Sequence, residues 1–140
     1  MEVLHNRRAS YTEAYTLLAE AWNSMVQAGQ TPLFKGVPAF AGDHEVLYVL
    51  AEEGDVIGAL TYEASRDSAV YTVSMAYVEP SSRRRGVFRA MLNSLRLRAA
   101  KANVHYVICD LHVTNTDSLK TFSKLGAKHV STTLSFDVFE

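Results

Sequence analysis

The sequence predicts an α/β domain, α+β in its element order, with a mixed central sheet flanked by helices. Three observations carry this. The spacing of apolar residues switches between a helical period and a period of two along the chain. Three strand-like runs succeed one another between Glu45 and Val78, separated by short turns. A helical run then joins the third of them to a fourth, which makes that last pair a candidate parallel crossover. The 140 residues are 48% apolar and 21% charged, the size and balance of one globular domain spanning 1–140.

The elements follow in order. Met1 to His5 reads as a short first strand. Ser10-Tyr11-Thr12-Glu13 has the form of a capping box, in which the Ser10 hydroxyl accepts from the Glu13 amide and Glu13 reaches back to the Ser10 amide. Behind it Ala14, Leu17, Leu18, Ala21, Trp22 and Met25 recur at three- and four-residue steps, and Gly29 is placed to stop the helix. Gln30 to Asp43, with two prolines and two glycines, reads as a loop. Glu45–Glu52 and Val56–Ala64 form a hairpin through Glu53-Gly54-Asp55, and Ser65–Ser68 turns the chain into Ala69–Val78. In that third run Tyr71, Val73, Met75 and Tyr77 alternate with Thr72, Ser74, Ala76 and Val78, so each set is expected on one face. From Gly86, the residues Phe88, Met91, Leu92, Leu95, Ala99 and Ala102 mark one face of a helix. Val104–Val113 is a nearly continuous apolar run, as in an interior strand. Leu119, Phe122 and Leu125 give a last helix from Asn115 to Gly126, and Lys128–Phe139 closes with strand material.

Composition removes several function classes. A net charge of −1 argues against broad capture of nucleic acid. Cys109 is the single cysteine, which leaves no intrachain disulfide and no multi-cysteine zinc site. No apolar run approaches the ~20 residues that span a bilayer. The start, MEVLHNRR, lacks a signal-peptide core, so a cytoplasmic location is expected. The five histidines are scattered, and Cys109 and His112 fall on opposite faces of a strand, so no metal site is expected. Cys109 reads as a buried inert thiol, and Tyr62, Tyr71 and Tyr106 as core.

The informative segment is Val78-Glu79-Pro80-Ser81-Ser82-Arg83-Arg84-Arg85-Gly86-Val87-Phe88. A strand ends before a proline, a polar loop carries three arginines, and a glycine opens a helix. Such a turn aims backbone N–H groups at one spot, backed by the positive end of the helix dipole. Gly86 lets backbone approach a ligand closely, and arginine heads suit phosphate oxygens. A pyrophosphate would fit. For an arbitrary three-arginine run, a solvated basic turn is the commoner outcome.

The segment resembles the acetyl-CoA-binding motif of the GNAT family of N-acetyltransferases, [Gln/Arg]-x-x-Gly-x-[Gly/Ala] after a strand ending in Val-x-Pro. Arg83, Gly86 and the Val78-x-Pro80 lead-in match, while Phe88 replaces the small last residue. The family's second signature, Asn-x-x-Ala-x-x-x-Tyr-x-x-x-Gly-Phe, resembles Asn115-x-x-Ser118-x-x-x-Phe122-x-x-x-Gly126-Ala127. The two motifs stand in the family's order, and the element order is similar over nearly the whole chain.

The resemblance implies a parallel pair of strands that splays into a V-shaped cleft. Backbone groups at Ala76 and Val78 would bond the pantetheine arm, and the Arg83–Arg89 stretch (Arg83, Arg84, Arg85, Gly86, Val87, Phe88 and Arg89) would hold the pyrophosphate. Asn115 would orient the pantetheine or the attacking amine, and Phe122 would line the cofactor site. The implied reaction transfers acetyl from acetyl-CoA to a primary amine by direct attack in a ternary complex. The base it implies is Asp110, five residues before Asn115, where the family's ribosomal-protein acetyltransferases place a Glu; Glu63 is the reserve. A backbone N–H near Tyr77 or Val78 would hold the developing oxyanion. The family's usual acid is Tyr, and Phe122 stands there. Three readings are open: Tyr77 or another phenol substitutes, the thiolate leaves unaided, or the chain binds CoA without transfer. The rival function is accordingly a non-catalytic module for CoA or an anionic partner such as RNA. The acceptor, a small molecule or a protein amine, is set by loops around Gln30–Asp43 and Val130–Thr133, and a homodimer completing that pocket is compatible with so short a chain.

Overall fold

In the computed structural model, residues 1–30, 44–64, 69–111, 113–132, 134 and 138 are described. Five strands form one sheet in sequential order: β1 Leu4–Asn6, β2 Glu45–Leu50, β3 Val56–Ala64, β4 Val70–Val78 and β5 Tyr106–Cys109. Every neighbouring pair is antiparallel except β4 and β5, which run parallel. The parallel pair follows from the crossover helix α2, Val87–Lys101, since a strand can return in the same direction only through a long connection. Helix α1, Ala14–Gln27, covers one face of the sheet, and α2 covers the other; α3, Thr116–Lys124, follows β5.

Each face closes one apolar cluster. Ala14, Leu17, Leu18 and Ala21 of α1 pack on Val46, Ala59 and Met75. Val87, Met91 and Leu95 of α2 pack on Leu47, Val49, Leu60, Tyr62 and Val73. The alternation of β2 and β3 produces this division, with Val46 and Ala59 facing α1 while Leu47 and Leu60 face α2.

Several expectations shift. The capping box at Ser10 does not form. Residues Ala9–Tyr11 make a 3₁₀ turn instead, with the Thr12 hydroxyl donating to the Ala9 carbonyl at 2.7 Å, and Glu13 becomes the residue before the helix with no side-chain cap. The extra turn moves the helix start past the Ser10–Glu13 pair, which therefore no longer straddles it. At the other end Gly29 adopts φ +66°, its N–H donates to the Val26 carbonyl, and the Gln30 N–H donates to the Met25 carbonyl. That is the paired closure expected of a glycine stop.

The single-face reading of β4 also fails, for a reason that matters to the site. Thr61 pairs with Met75, but the next residue, Tyr62, pairs with Val73, so Ser74 is an extra residue on β4. A bulge of one residue reverses which face every later side chain occupies. Tyr71 and Val73 accordingly lie with α2, while Met75 and Tyr77 lie with α1.

The fourth predicted run shortens to Tyr106–Cys109, and it is not interior: Tyr106 is 66% and Ile108 40% exposed. Helix α1 packs on β3 and β4 and leaves that side of β5 uncovered. Tyr106 is thereby corrected from core to surface, whereas Tyr62, 1% exposed, is core. The described residues of Lys128–Phe139 lie in no strand, and Val130, Leu134 and Val138 are exposed. The loop predicted after Gln30, the Ser65–Ser68 turn and His112 lie outside the described residues. No helix among the described residues is long and apolar enough to cross a membrane.

Candidate active site

The bulge at Ser74 coincides with the end of the parallel ladder. β4 and β5 pair from Val70↔Tyr106 to Val73↔Cys109 and no further, so the two strands fork there. Beyond the fork, five residues of β4 continue with β3 alone on their other side. The Glu79 N–H donates to the Ile57 carbonyl at 2.9 Å, which fixes the phase of the β3 ladder. By alternation Tyr77 also turns its backbone to β3, and Ala76 and Val78 turn theirs to the open edge. The Val78 carbonyl is met there by the Arg83 side chain, whose Nε donates at 2.9 Å. The same guanidinium lies 5.4 Å from the centroid of the Tyr77 ring, against which it stacks.

Between β4 and α2 the chain makes a 3₁₀ turn, Pro80–Ser82, braced by Glu79. The Ser81 and Ser82 hydroxyls donate to the two Glu79 carboxylate oxygens at 2.7 and 3.3 Å. Arg84 and Gly86 then both take left-handed backbone, φ +65° and +81°. Gly86 precedes the first helical residue, and its carbonyl accepts from the Ala90 N–H at 2.9 Å. The N–H groups of Val87, Phe88 and Arg89 are thus the orphan amides of the helix start. A Cβ built on Gly86 would meet nothing within 4 Å, so the space over this turn is open. Arg84, Arg85 and Arg89, in this turn and at the helix start, are exposed, while the Arg83 head is engaged at the Val78 carbonyl and the Tyr77 ring. A group of orphan helix amides with exposed arginines in the same turn is a fit for a pyrophosphate.

Helix α2 is pinned by a close approach. A Cβ on Gly58 would come within 2.6 Å of Val87 Cγ1 and 3.3 Å of Met91 Cε. The sequence carried a signal for this in a lone glycine inside a strand pattern. Val87 itself is 2% exposed, so its side chain is spent in the core and only its backbone faces the nest.

The other site residues divide between the two faces. Cys109 and Val73 lie on the α2 side, as does Phe88, whose ring meets that of Phe122 edge-on with centroids 5.2 Å apart. Two of the positions at which this chain departs from the family's motifs therefore form one aromatic pair, joining α2 to α3. Burial raises the pKa of the Cys109 thiol, and the neighbouring Asp110 charge raises it further, so the thiolate is disfavoured. Asp110 follows Cys109, the last residue of β5, and is exposed next to the fork; strand alternation carried one residue past β5 would turn it to the α1 side. Glu63 is opposite Thr72, which is in turn beside Ile108, so it shares that side, and His44 Nε2 lies 3.0 Å from its carboxylate. Tyr77 is also on the α1 side, across the sheet from Phe122. The Asn115 side-chain oxygen accepts from the Ser118 N–H at 3.3 Å and caps α3. Among the described residues no three of His, Cys, Asp and Glu gather as metal ligands do.

A parallel pair that forks at a bulge leaves an open strand edge running toward the orphan amides of a helix start whose loop carries exposed arginines. The family profile described as "Acetyltransferase (GNAT) family" matches residues 11–127, and the chain belongs to that family. Solved structures agree on the fold. An aminoglycoside N-acetyltransferase, AAC(6')-Iy, in complex with CoA superposes with a TM-score of 0.69 at 17% identity, over 97% of this chain and 98% of that one. A ribosomal-protein-alanine N-acetyltransferase from Brucella melitensis biovar Abortus 2308 gives 0.72 at 13% identity, over 98% and 99%. An aminoglycoside acetyltransferase from an uncultured soil metagenomic sample, in complex with trehalose, gives 0.70 at 10% identity, over 99% and 95%. No curated protein matches by sequence.

Proposed function

We propose that the chain is an acetyl-CoA-dependent N-acetyltransferase acting on a primary amine. The observation that carries this is the fork at Val73↔Cys109 leading along an open strand edge to the amide nest of Arg84–Arg89. Backbone groups of Ala76 and Val78 hold the pantetheine arm, the Arg83 side chain swinging off the Val78 carbonyl to admit it. The N–H groups from Arg84 to Arg89, with the arginine heads, hold the pyrophosphate. When bound, acetyl-CoA supplies an activated acyl carbon and a thiolate leaving group. The reaction is a direct transfer with both substrates bound.

The amine approaches from the α1 side, where Asp110 and Glu63 lie. It must lose a proton to attack, and Asp110 accepts it, through water where the short side chain does not reach. Glu63 is the weaker candidate because His44 already engages it. A backbone N–H near Tyr77 or Val78 stabilises the developing oxyanion. Tyr77 and Phe122 flank the sheet from opposite sides, which favours a thiolate that leaves without a side-chain acid. The acceptor is a small-molecule or protein amine, the two kinds of acceptor that the neighbours' names carry.

Incubation with labelled acetyl-CoA and three amines tests the reading: an aminoglycoside, an alanine-initiated peptide and a polyamine, each followed by mass spectrometry. Label on one of them, with CoA thiol released in equal amount, is the expected result. The Phe88–Phe122 pair favours one second reading, a module that binds CoA without transfer. Acetyl-CoA binding with no labelled amine supports that module, and preference for RNA over CoA overturns both acetyl-transfer and CoA-binding readings.

A further inference from the structure

On the α2 side, a cleft of about 400 Å³ runs between α2, β5 and α3, lined mostly by apolar side chains, with Arg96 and His105 also on its wall. Its near end is formed by Val73, Cys109 and Phe122, and Val73 and Cys109 are the last paired residues of the parallel ladder. Its far end lies between Ala100 of α2, Val104 before β5 and Leu125 after α3. The cleft therefore reaches from the residues of the fork along the α2 side of β5 toward the paired end of the two strands. Phe122 keeps the near end apolar where a tyrosine would have placed a hydroxyl.

We propose that this cleft is an acyl-chain subsite, and that the protein takes straight-chain acyl-CoA of about six carbons in preference to acetyl-CoA. The inference rests on the cofactor placement proposed above, since it is the pantetheine arm along β4 that brings the thioester to the fork. From there a two-carbon acyl group stops at Val73 and Cys109. Each further methylene can lie against the apolar part of the lining, and transfer of a methylene from water to an apolar wall favours binding by roughly three- to fourfold. The four additional methylenes of hexanoyl-CoA are expected to tighten binding at least tenfold over acetyl-CoA, after allowance for ordering of the chain.

Calorimetric titration of the parent protein with CoA, acetyl-CoA, butanoyl-CoA and hexanoyl-CoA tests this. The expected result is affinity rising along the series. An Ala100→Trp variant, substituted at an exposed helix position that lines the cleft, is expected to lose the advantage of hexanoyl-CoA and keep the affinity for acetyl-CoA. Equal or falling affinity with chain length overturns the subsite while leaving acetyl-CoA binding intact. Rising affinity that Ala100→Trp does not alter overturns this location for the chain. No binding by any of the four ligands overturns the cofactor placement, and the subsite with it.

Discussion

Gly86 and Asp110 are the residues at which the proposed chemistry is most exposed to test. At Gly86 the backbone is left-handed, φ +81°, which costs a residue with a Cβ about 1–2 kcal/mol, yet no atom stands within 4 Å of that Cβ. Gly86→Val should thus lower stability only by about that amount, and its larger effect should fall on acetyl-CoA, whose phosphates need the same open space. A binding constant equal to the parent's would put the pyrophosphate elsewhere. Asp110→Asn keeps the shape and removes proton acceptance. Turnover should fall by roughly 10²–10⁴ with acetyl-CoA affinity unchanged, and the loss should shrink at high pH, where the amine is already neutral. A parental rate and pH profile would remove Asp110 from the mechanism and point to Glu63.

At the scale of elements, what positions the nest is the seating of α2 on β3. Gly58 allows Val87 to sit directly on the strand, so the helix start and its orphan amides are held by a contact that lacks a side chain on one side. Gly58→Ala forces a Cβ into Val87 and should destabilise the fold by about 1–3 kcal/mol. Because the displaced element carries the nest, acetyl-CoA binding should weaken as well, although Gly58 touches no ligand. Thermal melts with and without acetyl-CoA read both effects; an unchanged melting temperature would mean that α2 is seated by other contacts. The bulge at Ser74 acts on β4 in the same indirect manner, since it turns Met75 and Tyr77 away from the side of Val73 and coincides with the loss of pairing to β5.

For the whole molecule, one polar cluster links β1, β2, β3 and α2. Arg98 Nε donates to the Tyr62 hydroxyl at 3.3 Å, and its Nη2 lies 3.1 Å from His5 Nε2. His5 Nε2 lies 2.9 Å from Glu45 Oε1, to which the Tyr62 hydroxyl also donates at 3.4 Å. Burial, opposed in part by Arg98, pushes the Tyr62 phenol up from 10.0 to about 12. A raised pKa means that the folded state favours the neutral phenol more than the unfolded chain does. The corresponding stability is complete below pH ~10 and is lost as pH rises from 10 toward 12, by up to about 3 kcal/mol in all. Denaturant melts between pH 9 and 12 should show this fall, and Tyr62→Phe should be less stable at pH 9 but flatter across the interval. A Tyr62→Phe profile parallel to the parent's would show that another group carries the dependence.

Local patterns in the chain were enough to determine the order of the elements as far as α3, the helix faces and the strand–loop–helix turn that carries the arginines. The α1 stripe from Ala14 to Met25, the hairpin at Gly54 and the strand–arginine–glycine–helix succession each depend on residues adjacent in the chain, where periodicity and turn chemistry act directly. The family follows from the same succession, because its motifs are short and contiguous. Only the tertiary structure decided what depends on pairing between distant segments. The Ser74 bulge has no local mark, since an extra residue is defined by the partner strand it fails to match, and it divided β4 between two faces that alternation had joined. The capping box at Ser10 gave way to a 3₁₀ turn tied by Ala9, which is itself fully buried under α1 and bonded through its N–H to the His44 carbonyl. Tyr106 and Ile108 read as buried because their run is apolar, but burial requires a covering layer, and α1 ends its coverage before β5. The pairing of Phe88 with Phe122, thirty-four positions apart, likewise came from packing α2 against α3 rather than from either motif.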